Sequence, residues 1–188
     1  MSSSKRASTM PAQKPPTSLS STLVIADNAS VTGTHRITLG SSTVVHPRTR
    51  LSSVYGTITV GNNCILSERS MIGLQSVPTG GEQQGVEIEN GVVIENGAVV
   101  EGRRIGEGCL IEVNAKIGKG AVLGKHCKIG PLCTVSEGEV LPDFTVVYGD
   151  GMRRIDNSGI EELKLKMVGR QVEILRKLIP SNPAKFQT

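Results

Sequence analysis

Large aromatic rings are nearly missing from this sequence, which has no tryptophan, two tyrosines and two phenylalanines in 188 residues. Its core must therefore come from Val, Ile and Leu, with Gly, Ala, Ser, Thr and Cys as small partners. Long apolar runs are missing too. Nothing approaches the roughly 20 residues that a bilayer crossing needs, which excludes a helical membrane protein. The Ser/Pro-rich start has no apolar h-region, so no secretory signal is expected. A dominant charge is also lacking. The net +4 arises because residues 1–20 hold Lys5, Arg6 and Lys14 without an acid, and residues 151–188 hold eight bases against four acids. The middle, 21–150, has ten bases and thirteen acids. A nucleic-acid binder concentrates bases on its folded face, so nucleic acid is not an expected partner.

What the sequence does have is a period. Ile105, Ile111, Ile117, Leu123, Ile129, Val135, Leu141 and Val147 recur every sixth residue. Ile88, Ile94 and Val100 continue the frame upstream, followed further back by Val60, Leu66 and Ile72, then Leu39, Val45 and Leu51, then Ile25, Val31 and Ile37. Four residues after the aliphatic comes a small or modest side chain, such as Ala29, Thr43, Ser70, Ala98, Ala115 or Thr145. Gly or Asn recurs one and three residues after it, as at Gly106, Gly108 and Asn114, which marks corners. A period of six is then a short strand and a bend, with the aliphatic and the small residue pointing inward. Three hexads close a triangular coil, and coils stack at the ~4.8 Å strand spacing. No coil can bury its own aliphatics, so stacking makes the core. The expected fold class is an all-β solenoid, a parallel β-helix of about six coils.

The frame breaks at 52–58 and at 73–87, which read as loops at corners. After Val147 the pattern becomes helical. Ser158 with Glu161 reads as a capping box and Pro180 as a stop, giving an amphipathic helix over 159–179. Its apolar arc of roughly 200° is wider than the ~100° stripe a surface helix needs. That leaves two readings: the helix lies on its own solenoid with some apolar exposure, or a second protein covers the excess. Glu162/Lys166 and Glu173/Lys177 have the spacing of helix ion pairs. The expected organisation is a disordered Ser/Pro-rich tail over 1–22, a β-helix over 23–150 with an insertion at 73–87, and a C-terminal segment over 151–188.

Chemistry-bearing residues are few. His35, His46 and His126 are the only histidines, and they occupy three different hexad positions in distant coils, so one chain cannot gather them. A general base in acyl transfer needs one His, which could still act across a subunit boundary. A catalytic zinc site needs three ligands, and the paired histidines that would supply them are absent. Cys64, Cys109, Cys127 and Cys133 form no Cys-x₂-Cys pair and all fall on the small inward position, as core filler. Cys109 and Cys127 are eighteen apart and could stack within disulfide range, but free thiols are expected in a reducing compartment. Glu89, Glu95, Glu101 and Glu112 follow the aliphatics and read as a solvated acidic face, or as a docking face for a basic partner.

Known hexapeptide solenoids are left-handed, and the chain is similar to them. The coil order, the short step at Val100–Arg104, the ending VLPDFTVVYGDGMRRI over Val140–Ile155 and the closing helix resemble the left-handed β-helix subunits of the dynactin pointed-end complex. The resemblance covers about residues 25–180. It implies a non-enzymatic structural subunit with no catalytic residue, metal or cofactor. Its implied partners are dynactin subunit 5 in a heterodimer, the pointed-end actin-related protein, the p62-type subunit and cargo adaptors, with no membrane insertion. The implied setting is the cytoplasm, on the microtubule-associated dynein–dynactin machinery. The expected partner surface comprises Leu163, Leu165, Met167, Val168, Val172, Leu175 and Ile179 of the helix, with Tyr148, Arg153 and Arg154 before it. The competing expectation is a homotrimeric hexapeptide acyltransferase or a γ-carbonic-anhydrase-like protein.

Overall fold

Hexad periodicity becomes three flat parallel sheets in the computed structural model, which describes residues 14–77 and 85–187. The first sheet has seven strands, running from Thr17–Leu19 to Val140–Leu141. The second runs from Val24–Ile25 to Thr145–Tyr148 and closes with an antiparallel strand, Met152–Ile155. The third has six strands, from Ser30–Gly33 to Thr134–Val135. Registers stack the aliphatics in columns: Ile88 on Ile105 on Leu123 on Leu141 in the first sheet, and Ile94 on Ile111 on Ile129 on Val147 in the second. These columns and the small residues between them form one continuous core.

Every departure from the six-residue step falls at one corner. The stretches Val31–Leu39, Leu51–Val60, Ile72–Ile88 and Val100–Ile105 all cross from the third sheet to the first. Ile37 is accordingly not in the aliphatic column. It lies two residues before Leu39, pairs with Ile58, and adds a second buried row. The insertion expected at 73–87 leaves from this corner, although its residues 78–84 lie outside the described ones.

Corner chemistry differs between the two glycine positions. Three residues after most of the aliphatics the backbone is left-handed. Gly or Asn fills many of these places, but Arg48, Arg69, His126, Leu132 and Phe144 adopt the same conformation. One residue after it, glycine answers a different need. A Cβ on Gly106 would sit 2.5 Å from the Gly124 carbonyl oxygen, because the next coil's backbone passes directly over it.

Two boundaries move. Thr17–Leu19 pairs with Ile37–Leu39 as the first strand, so the fold begins inside the span expected to be a tail, where Leu19 continues the aliphatic column. Residues 1–13 lie outside the described ones. The helix, α1, spans Glu161–Leu178 with Ile160 at its N-cap and no side-chain cap. Ser158 makes no capping box. Its amide instead donates to Asp156 Oδ1 at 3.1 Å, and Asp156 holds Lys164 at 2.9 Å.

At ~1.5 Å per residue α1 is about 27 Å long, the height of five to six stacked coils at ~4.8 Å each. It runs back along the second sheet, where Val172 (1 % exposed) sits among Val24, Val44 and Ile65. Beyond it the chain turns under the first coil. Ser181 Oγ accepts from the Ile25 amide at 2.9 Å, the Asn182 amide donates to the Ile25 carbonyl at 3.1 Å, and Phe186 enters the main core. The C-terminus thus seals the open lower end of the solenoid.

Candidate functional site

The triangular section determines where side chains can meet. His35 lies at the third-to-first corner, where its Nδ1 bonds the Ser53 carbonyl at 2.8 Å while Ser53 Oγ donates to the His35 carbonyl at 2.8 Å. His46 follows the second-sheet strand Val44–Val45, at a different corner. His126 occupies the remaining corner, with its ring stacked on Phe144 at 5.5 Å between centroids. The chain therefore does not converge its histidines, and no group of three or more metal-ligating side chains exists among the described residues.

His46 is nonetheless unusual. It is half-buried, and its Nε2, shielded from solvent, has no hydrogen-bond partner among the described residues. Burial lowers its pKa below the ordinary imidazole value, against a weaker upward pull from Glu68.

The cysteines are free and buried. Each donates its thiol to a carbonyl in the following coil: Cys64 to Glu89 at 3.1 Å, Cys109 to Gly124 at 3.1 Å, Cys127 to Pro142 at 3.2 Å and Cys133 to Gly149 at 3.4 Å. Burial pushes the Cys64 thiol up to about 11. The hydrogen bond with Cys127, together with burial, raises Cys109 as well. Protonated and enclosed, these two thiols are poor nucleophiles.

The glutamates expected on an acidic face are largely engaged between coils. Glu89 Oε2 accepts from the Glu107 amide at 2.9 Å, and Arg104 Nε donates to Oε1 at 2.9 Å. Desolvation alone would raise the Glu89 pKa, but these two donors prevail and hold it below the usual range. Glu95 Oε2 takes the Val113 amide at 3.1 Å, Glu101 Oε1 takes the Gln75 amide at 2.8 Å, and Glu112 pairs with Lys128 at 3.1 Å. They act as staples along the solenoid, not as a converging carboxylate pair.

A cleft of about 660 Å³ lies between α1 and the second sheet. Val93 and Leu110 form its floor, Met167 and Ile174 one wall, and Glu95 and Lys164 lie at its rim. Gly91 and Gly108 form a notch for Leu165, whose Cδ2 lies 2.6 Å and 3.4 Å from where their Cβ atoms would be. His126 borders this notch, its Nδ1 2.4 Å from the Cβ position of Gly108. Sequence reasoning missed this cleft. The available signal was glycine at equivalent corner positions of successive coils, opposite an apolar helix.

The partner surface expected from sequence divides. Val172 faces the chain's own second sheet, and Val168, Leu175 and Ile179 pack against that cluster. Leu165 fills the glycine notch. Those five positions are spent on the solenoid, because a helix laid along a flat sheet must bury its nearest side chains there. Leu163 and Met167 point to solvent. Tyr148, Arg153 and Arg154 lie on the antiparallel hairpin, whose outer strand is exposed throughout. Arg153 Nε holds Glu139 at 3.0 Å.

Residues 104–137 match the bacterial transferase hexapeptide (six repeats), and residues 68–101 match the hexapeptide repeat of succinyl-transferase. None of the curated proteins matches. Among solved structures the chain is similar to a putative acetyltransferase from Bacillus cereus, with TM-score 0.60 and 17% identity over 88% of this chain and 97% of that one. It is also similar to a hexapeptide transferase family protein from Anaplasma phagocytophilum, with TM-score 0.61 and 15% identity over 90% of this chain and 97% of that one. No dynactin subunit is named by these matches. They overturn the expectation that the chain is not an enzyme. That expectation followed from the resemblance and from histidines that do not converge, whereas acyl transfer needs only one histidine as general base. Both repeat matches and both likenesses agree on architecture: the chain is a left-handed parallel β-helix of hexapeptide repeats.

Proposed function

We propose that this chain carries out acyl transfer, moving an acyl group from a thioester to a hydroxyl or amine. Two transferase-type repeat matches spanning residues 68–137 support this reading, and that segment supplies most of the solenoid side of the cleft beside α1. His126, at the cleft's glycine notch, is the base it assigns. The imidazole takes the proton of the acceptor O–H or N–H as the acceptor attacks the thioester carbonyl. The proton then leaves with the departing thiol. The test is thiol release from acetyl- and succinyl-coenzyme A by the full chain, with hydroxyl and amine acceptors. His126→Ala should lower the rate about 100-fold or more, the scale of a lost general base. A wild-type chain that releases no thiol, or a variant that loses nothing, sinks the assignment.

A second reading is favoured by where the resembling ending sits. Within residues 140–155, Thr145–Tyr148 and Met152–Ile155 form a hairpin whose outer strand is exposed, carrying Tyr148, Arg153 and Arg154 and leading toward α1. This supports a subunit of the dynactin subunit 6 type in the dynein–dynactin pointed-end complex. It would pair with subunit 5 beside the actin-related protein and the p62-type subunit, and would engage cargo adaptors. Light scattering separates the readings. A homotrimer that ignores subunit 5 supports the first, and a monomer that becomes a 1:1 heterodimer supports the second.

A further inference from the structure

We infer that the outward face of α1 is a docking site for an acidic amphipathic helix of a partner protein. The inner face of α1 is already satisfied by the second sheet, and the apolar residues beyond it stay exposed. Leu163, Met167, Ile174 and Leu178 are 56–69% exposed, and Ile160 at the N-cap is 44% exposed. At about 100° per residue these five fall within about 60° of arc. Leu163 to Leu178 spans about 22 Å at ~1.5 Å per residue, the length of a helix–helix contact. The stripe continues into the apolar cleft through Met167 and Ile174.

Charge selects the occupant. Lys166, Arg170 and Lys177 adjoin the stripe, and among the described residues none of them makes an ion pair, whereas the bases on the solenoid commonly do. The helix pairs expected at Glu162/Lys166 and Glu173/Lys177 are likewise unformed. A second copy of α1, antiparallel, would match the spacing by setting Leu163 against Leu178 and Met167 against Ile174. It would also set Lys166, Arg170 and Lys177 against the same three residues, because antiparallel helices meet flank to like flank. Like charges across such a seam oppose pairing, and acids favour it. The fitting partner therefore carries leucine-type residues at the complementary spacing, with Glu or Asp beside them. This inference does not depend on whether the chain catalyses a reaction.

The test uses the full chain and a fluorescent helical peptide with Leu at i, i+4, i+11 and i+15 and Glu at the flanks, read by anisotropy. A matched peptide has Lys in place of Glu. The Glu peptide should bind about tenfold or more tightly than the Lys peptide, the scale of ~1.4 kcal/mol. Met167→Glu with Ile174→Glu should remove that binding while circular dichroism and melting stay unchanged, since both side chains are exposed. Equal binding of the two peptides, binding that survives the double variant, or no binding overturns the inference. So does sedimentation showing a dimer of the chain alone that the double variant dissolves, or a preference for phosphatidylserine vesicles over the peptide.

Discussion

At the scale of single residues, glycine serves two purposes here that one substitution pair can separate. Gly138 is left-handed (φ +69°) with open space at its Cβ position, so Gly138→Ala adds only backbone strain, about 1 kcal/mol. Gly106 has no positive φ, yet its Cβ would meet the Gly124 carbonyl oxygen at 2.5 Å, and backbone cannot rotate aside. Gly106→Ala should cost more, about 3 kcal/mol, by forcing two coils apart. Urea denaturation of the two variants checks the order, and equal losses would refute it. His46 supplies a pH prediction. Its folded-state pKa is lowered, so the unfolded chain protonates first. Stability is full above the unfolded value of about 6.5 and is lost as pH falls through that value toward the depressed folded one. The urea midpoint should therefore drop between pH 7.5 and 5.5, and His46→Gln should flatten that slope. An unchanged slope would assign the drop to other groups.

At the scale of elements, α1 and the segment after it hold the solenoid from outside and below. Val172 is the centre of the helix footprint, so Val172→Asp places a charge against Val44 and Ile65. We expect α1 to detach, seen as lost ellipticity at 222 nm with the β-sheet signal kept. Full retention of the helical signal would show that other contacts suffice. Phe186 (7 % exposed) plugs the first coil, and Phe186→Ala should cost about 3 kcal/mol, the lower end for a buried ring. A urea midpoint equal to wild type would mean the lower end needs no plug. The Gly/Ala/Cys rows were legible in sequence because period six leaves little choice of direction. Phe186 was not legible, since a lone aromatic after Pro183 carries no periodicity to say what it meets.

At the scale of the molecule, insertions are confined to the corner between the third and first sheets. That corner lies away from the second sheet, which α1 covers. Two added Gly-Ser residues between Val54 and Thr57 should therefore change stability by less than about 1 kcal/mol, as loop closure costs little. The same insertion between Glu112 and Ala115 should be severely destabilising, because it breaks the Glu95 staple to the Val113 amide and shifts a corner that borders the helix-covered sheet. Thermal melts of the two variants decide it, and equal tolerance would overturn the confinement of insertions to the third-to-first corner.

Sequence by itself determined the coil, the inward columns, the corner positions, the buried cysteines and the presence of a closing helix. Each of these follows from local periodicity, a repeated choice made within a few residues. Tertiary structure alone decided which face of α1 meets the solenoid, that residues 181–186 close its lower end, and that His126 lies beside the Gly91/Gly108 notch. It also decided that the glutamates are staples. These depend on pairings between residues far apart in the chain, such as Leu165 with Gly91 or Phe186 with Thr17. Such pairings are fixed only once the stacked coils set the spacing, and no short-range pattern encodes them.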